Sequence, residues 1–86
     1  MDTARRPVGL TTPRPIYKIA QEISTLWRTV EYSARPFLDA MRLMERIHDN
    51  VDDTPGRAIV AGFLDHANNW RGRDAQRIKA ELRSKL

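Results

Sequence analysis

Along the chain, Ile16, Ile19, Ala20, Ile23, Leu26, Trp27 and Val30 recur at spacings of three and four, with Lys18, Gln21, Thr25 and Arg28 between them. That period places the first set on one face of a helix and the second on the other. Pro15 suits the first helical position, where no backbone N–H is needed, so a helix is predicted from there. Pro36 cannot continue a helix but can open one, with Ser33 or Arg35 near its cap. Phe37, Ala40, Met41, Met44, Ile47 and His48 then line a second apolar stripe. "DNVDDTPG" is a turn cluster, and Asp53 or Thr54 followed by Pro55 makes a start for a third helix. Ile59, Val60, Phe63, Leu64 and Ala67 form its apolar side, while Ala58, Ala61 and Gly62 leave another side bare enough for a neighbouring helix to approach closely. After "NNWRG" a fourth helix is predicted from Arg73 to Lys85, with Ala75, Ile78 and Leu82 inward. No run alternates with period two, so no strand is expected.

The pattern therefore predicts an all-α fold: a compact bundle of about four short helices forming a single helical domain over residues 14–86. Residues 1–13 have no periodicity, are broken by Pro7, Gly9 and Pro13, and carry Arg5 and Arg6, with Arg14 just beyond. They are expected to be a flexible, basic N-terminal arm, disordered when alone. A chain of this size buries only about 60% of the surface that its unfolded form exposes, so each tryptophan matters. Removing Trp27 or Trp70 is expected to unfold the domain.

Composition adds exclusions. Hydrophobic residues at 41% and charged residues at 30% are ordinary values for a folded chain. The absence of cysteine rules out disulfides and thiolate chemistry and points to a reducing compartment. No stretch approaches the roughly 20 apolar residues of a membrane span, and the arginines near the start precede no apolar run of a signal peptide. A soluble protein without membrane contact is expected.

Charge changes the picture more than composition does. Residues 1–18 hold four basic and one acidic side chain, 19–68 five and eight, and 69–86 six and two, giving net charges of +3, −3 and +4. Two basic ends around an acidic middle would steer the chain towards phosphates or an acidic protein surface, or serve solubility alone.

Candidate chemistry is sparse. His48 and His66 fall on different predicted helices without the spacing of a metal motif, and His48 reads as a core or boundary residue, so no metal is expected. Asp49, Asp52 and Asp53 lack the alternating ligands of a calcium loop and read as turn and capping residues. No nucleophile has a base beside it in a recognisable motif, and the glycines are isolated, so neither catalysis nor a cofactor is expected. The opening of the fourth helix is the exception. Arg71 and Arg73 flank Gly72 where the helix dipole disfavours cations, and arginine forks beside free backbone N–H groups suit a phosphate or carboxylate. Asp74 could instead pair with either arginine internally. Gln76 and Arg77 would be the base readers if this were a helix-turn-helix, with Arg5, Arg6 and Arg14 of the arm as further nucleic-acid contacts. Tyr17, Tyr32, Leu38 and Leu43 fall off the stripes or at their edges, and are candidate contacts for a protein partner unless bundle packing covers them.

The phrases "RPIYKIAQEI", "YSARPFLDAM", "GRAIVAGFLDHANNWRG" and "AQRIKAEL" together resemble a small protein family found in phages of actinobacteria. The resemblance covers residues 14 to 83 and leaves residues 1–13 outside. It implies an origin and a setting, the cytoplasm of the bacterial host, but no functional residues. Here "NVDDTPGRA" stands where the family pattern leads to an aromatic and a glycine before the aspartate, so no role passes to that loop. By analogy, a small phage protein without catalytic features acts by binding. The expected partner is a host or phage protein, with nucleic acid as the alternative; a homodimer is compatible with either.

Overall fold

The computed structural model describes residues 14–86. They form four α-helices, α1 (Ile16–Leu26), α2 (Arg35–Met41), α3 (Gly56–Asp65) and α4 (Arg73–Lys85), with a 3-10 turn at Tyr32–Ala34 leading into α2. The expected arm, residues 1–13, lies outside the described residues. The fold is an all-α bundle of four short helices, as the periodicity predicts. One feature escaped that pattern: β1 (Asn50–Val51) and β2 (Thr54–Pro55) pair antiparallel just ahead of α3. A period-two pattern cannot register in two-residue strands. Asp52 and Asp53 turn the corner between them with φ of 49° and 68°. Two consecutive positive φ values match the twist of a tight hairpin, and aspartate tolerates them better than most residues. Asp53 and Thr54 are therefore hairpin residues, not caps. The residue before α3 is Pro55, in extended conformation and without a side-chain capping bond.

α2 ends at Met41 and does not run on to His48. The physical reason lies at the start of α1. A helix leaves its first N–H groups without intrahelical acceptors, and no side chain caps α1. The loop after α2 supplies the acceptors: the N–H of Ile16 donates to the Glu45 carbonyl at 3.0 Å and that of Tyr17 to the Met44 carbonyl at 2.8 Å. The Asp49 carboxylate holds the same loop by accepting the N–H groups of Glu45 at 2.8 Å and Arg46 at 3.0 Å. Met44 still reaches the core, but His48, expected in a core or boundary position, is exposed.

Every helix contributes to one core. α1 brings Ile16, Ile19, Ala20 and Ile23; α2 brings Leu38 and Met41; α3 brings Ile59, Val60 and Phe63; α4 brings Ala75, Ile78 and Leu82. Trp27, which ends α1, and Trp70, in the link before α4, stack with ring centroids 5.4 Å apart and planes 5° apart. Phe63 meets Trp27 edge-on at 6.2 Å. The predicted bare side of α3 is real at Gly62, whose missing side chain makes room for the Phe37 ring of α2. Gly56 is hemmed in by backbone instead: a Cβ there would stand 2.5 Å from the Asp49 carbonyl and 2.6 Å from that of Ile47. No helix among the described residues is long and apolar enough to cross a membrane.

Two substitutions test this packing. Trp70→Ala is expected to destabilise the domain by about 3–5 kcal/mol, the usual range for such a truncation. Gly56→Ala, which adds one carbon against backbone that cannot yield, should cost about 1–3 kcal/mol. Urea unfolding followed by far-UV circular dichroism measures both, and a neutral Gly56→Ala would contradict the packing described.

Candidate functional site

The corner between α3 and α4 is latched by its own side chains. Asn68 donates to the Asp65 carbonyl at 3.1 Å, and Asn69 reaches across to the Glu31 carboxylate at 2.9 Å. Trp70 is buried, and its carbonyl accepts the Lys79 ammonium at 2.6 Å. Burial pulls the pKa of Lys79 down, and repulsion from Arg83 and Arg71 adds to this. Gly72 precedes α4 with φ 110° and ψ 179°. Nothing stands within 4 Å of where its Cβ would be, so glycine is required there by backbone conformation and not by crowding.

Arg71 and Arg73 flank that glycine on the surface, and neither meets a carboxylate within 4.0 Å among the described residues. Asp74 has a different partner. Its carboxylate accepts Arg77 at 3.2 Å, one helical turn along α4, where the spacing of three residues brings the two together. Gln76 is exposed beside them.

Arg77 belongs to a larger network. It donates to Glu22 Oε2 of α1 at 2.9 Å, and Arg14 Nη1 lies 2.8 Å from Glu22 Oε1, an oxygen closed off from solvent. Arg14 also grips Glu81 of α4 with two hydrogen bonds, at 3.0 and 2.6 Å. The Arg77 hydrogen bond, with a further contribution from Arg14, holds the Glu22 carboxyl below its ordinary range; the Arg14 bond does the same for Glu81. In turn Glu81 and Glu22 raise Arg14, and Glu22 and Asp74 raise Arg77. Two of the expected nucleic-acid contacts, Arg14 and Arg77, are thus engaged in joining α1 to α4. Arg5 and Arg6 lie outside the described residues.

The four expected partner contacts divide as sharply. Tyr32 is 80% exposed and Leu43 74%, whereas Tyr17 is half-buried. Leu38 is 2% exposed and belongs to the core. Its placement on the surface is corrected by the short α2: the helix turns Leu38 and Met41 inward and leaves Phe37 half-buried against Gly62. Among the described residues no three His, Asp or Glu side chains gather in a way that could hold a metal ion. His66 is exposed and stacks on Phe37 at 5.3 Å.

One arrangement was missed altogether. A groove of about 270 Å³ runs between the C-terminal end of α1 and α2, and Arg28, Arg35 and Arg42 all line it. They stand seven residues apart in sequence, a spacing of two turns that has meaning only on an unbroken helix. Here the chain leaves α1 at Leu26 and turns before α2, so the interval gave no reason to join them. A wider depression of about 750 Å³ at the start of α1 sets Arg14, Arg46 and Lys85 against Glu45, but there Arg14 is already paired with Glu22 and Glu81. No family model matches the chain, and neither does any curated protein or solved structure.

The network carries a pH signature. Folded-state carboxyls held below 4.5, the ordinary value for both Glu22 and Glu81, contribute stability above it and lose that contribution as pH falls through their folded values. Arg14→Gln with Arg77→Gln should therefore be less stable than the wild type above about pH 5 and converge with it in acid. Urea midpoints across pH measure the gap; a gap that is constant with pH would contradict the network.

Proposed function

We propose that the protein is a small phage-encoded interaction protein that binds a host or phage protein in the cytoplasm of the bacterial host and modulates it, without catalysis of its own. The observation that carries this reading is the exposure of Tyr32 and Leu43, at 80% and 74%, where the next most exposed large apolar side chains among the described residues, Leu86 and Leu26, stand at 39% and 38%. Tyrosine and arginine are over-represented among residues that dominate binding energy. The Arg35 guanidinium stands 5.9 Å over the Tyr32 ring, which presents the two side chains as a unit. The sequence sets no nucleophile beside a base in a recognisable motif, which supports the non-catalytic role, and its resemblance to a phage family supports the setting.

Nucleic-acid binding is a second reading, favoured by Arg71 and Arg73 around Gly72. Against it, Glu22, Asp74 and Glu81 occupy the arginines that would otherwise extend the basic face of α4. Phosphates approaching that face would meet carboxylates.

Immobilised wild-type protein should capture a specific protein from lysate of an actinobacterial host, with or without nuclease. Tyr32→Ala with Leu43→Ser should lose the capture while keeping the unfolding midpoint within about 0.5 kcal/mol of wild type, as for surface changes generally. Capture that survives both substitutions would remove these residues from the interface. For the second reading, duplex DNA affinity should fall with salt by a slope of about −0.9 per phosphate contact, and Arg71→Gln with Arg73→Gln should flatten it. No binding at low salt would end that reading. Light scattering of wild type and the Tyr32/Leu43 variant tests whether the same face joins two copies of the chain.

A further inference from the structure

We infer that the groove between the end of α1 and α2 seats an acidic peptide segment of the protein partner, with its carboxylates held by Arg28, Arg35 and Arg42. This rests on the interaction reading above and gives that partner a chemistry. Three arginines face one aspartate in the groove lining, so the charge there is net positive although residues 19–68 as a whole are acidic. The excess is local and concave, whereas the basic charge at the α4 end is partly matched by carboxylates.

The arginines are positioned mainly by neutral acceptors, and of the three Arg42 alone has a carboxylate within 4.0 Å among the described residues. Arg42 donates through Nη2 to the Ser24 hydroxyl at 2.5 Å. That hydroxyl spends its own proton on the Ala20 carbonyl at 3.0 Å, which leaves an oxygen lone pair for the guanidinium. Arg42 Nη1 is 3.9 Å from Asp39, too far for a hydrogen bond. Arg35 donates through Nε to the Val30 carbonyl at 3.3 Å, and its outer nitrogens make no hydrogen bond among the described residues. Arg28 is exposed and has no ion pair among them. Guanidinium forks of this kind match a carboxylate with two parallel N–H···O bonds.

Charge complementarity calls for an anion, and the rest of the lining selects a peptide. Trp27, Val30 and Leu38 give the groove an apolar component, which suits side chains alternating with carboxylates and strengthens ion pairs by excluding water. Asp39 on the same lining would repel an unbroken run of phosphates, but can accept the backbone N–H groups of an extended peptide. Arg35 also links the groove to Tyr32, so one segment could engage both.

The test is a titration of the isotopically labelled full chain, followed by two-dimensional NMR, with a short peptide alternating glutamate and leucine. Its glutamine counterpart, inorganic phosphate and a single-stranded oligonucleotide are run in parallel. The glutamate peptide should shift the amides from Ser24 to Leu43 and the arginine Nε–H signals, and the glutamine peptide should not. Arg28→Gln with Arg42→Gln should weaken binding roughly tenfold or more, the scale expected for loss of charged anchors. Equal binding of the glutamine peptide, shifts confined elsewhere, or insensitivity to the two substitutions would overturn the inference. So would inorganic phosphate or the oligonucleotide binding the groove as tightly as the glutamate peptide, which would make it a small-anion or nucleic-acid site. If Tyr32→Ala abolishes lysate capture and the double arginine variant does not, the groove inference fails and the interaction reading stands; if neither affects capture, both fail.

Discussion

The stack of Trp27 on Trp70 is the contact around which the rest is arranged. It joins the residue that follows α1 to the link before α4, each held to its own segment by one backbone hydrogen bond, from the Trp27 N–H to the Ile23 carbonyl and from the Trp70 N–H to the Ala67 carbonyl, and Phe63 of α3 closes on it edge-on. Aromatic pairs contribute about 0.5–1.5 kcal/mol beyond the area they bury, and these indoles also carry much of that area. Both candidate surfaces are anchored on this stack. Trp27 lines the arginine groove, and the Trp70 carbonyl accepts Lys79 at the corner where Arg71 and Arg73 emerge. A change in the stack would therefore disturb two surfaces at once.

The charge pattern of the sequence and the charge pattern of the surface are different quantities. Counted along the chain, the ends are basic and the middle acidic. In three dimensions Arg14 and Arg77 are drawn against Glu22, Glu81 and Asp74, while the nominally acidic middle holds the groove with three arginines. An ion pair removes both partners from the field that a ligand feels at a distance, so local pairing outweighs segmental totals. Lysines and arginines near the α4 terminus, such as Arg83 and Lys85, need no ligand to explain them, because the helix dipole favours cations there.

The parts legible in sequence were those written in long repeats. α1 and α4 each keep a three-and-four spacing over two turns or more, and their buried residues are among those the spacing names, although Leu26 of α1 comes out exposed. α2 was misjudged because its apolar residues continue into a loop: Met44 and Ile47 extend the stripe in sequence, while the backbone there turns to supply carbonyls to α1. That error carried Leu38 to the wrong side. The corner at Gly72 was legible because arginine at a helix start is unusual, but the partner of Asp74 was not, since Arg71, Arg73 and Arg77 are all close in sequence and only side-chain direction separates them. The groove was not legible at all, because it is made by a break between helices whose closure depends on where α2 lies.

The clasp between Arg14 and Glu81 spans 67 residues, almost the whole described domain. Bringing such distant positions together costs loop-closure entropy, and a surface-accessible ion pair is too weak to meet that cost alone. The carboxylates of Glu22 and Glu81 become neighbours only once α1 and α4 share the core, so the arginines seal an arrangement that hydrophobic packing has already made. Their contribution is accordingly to cooperativity: the pairs exist when all of the bundle is in place, and a partial opening of either helix forfeits them together.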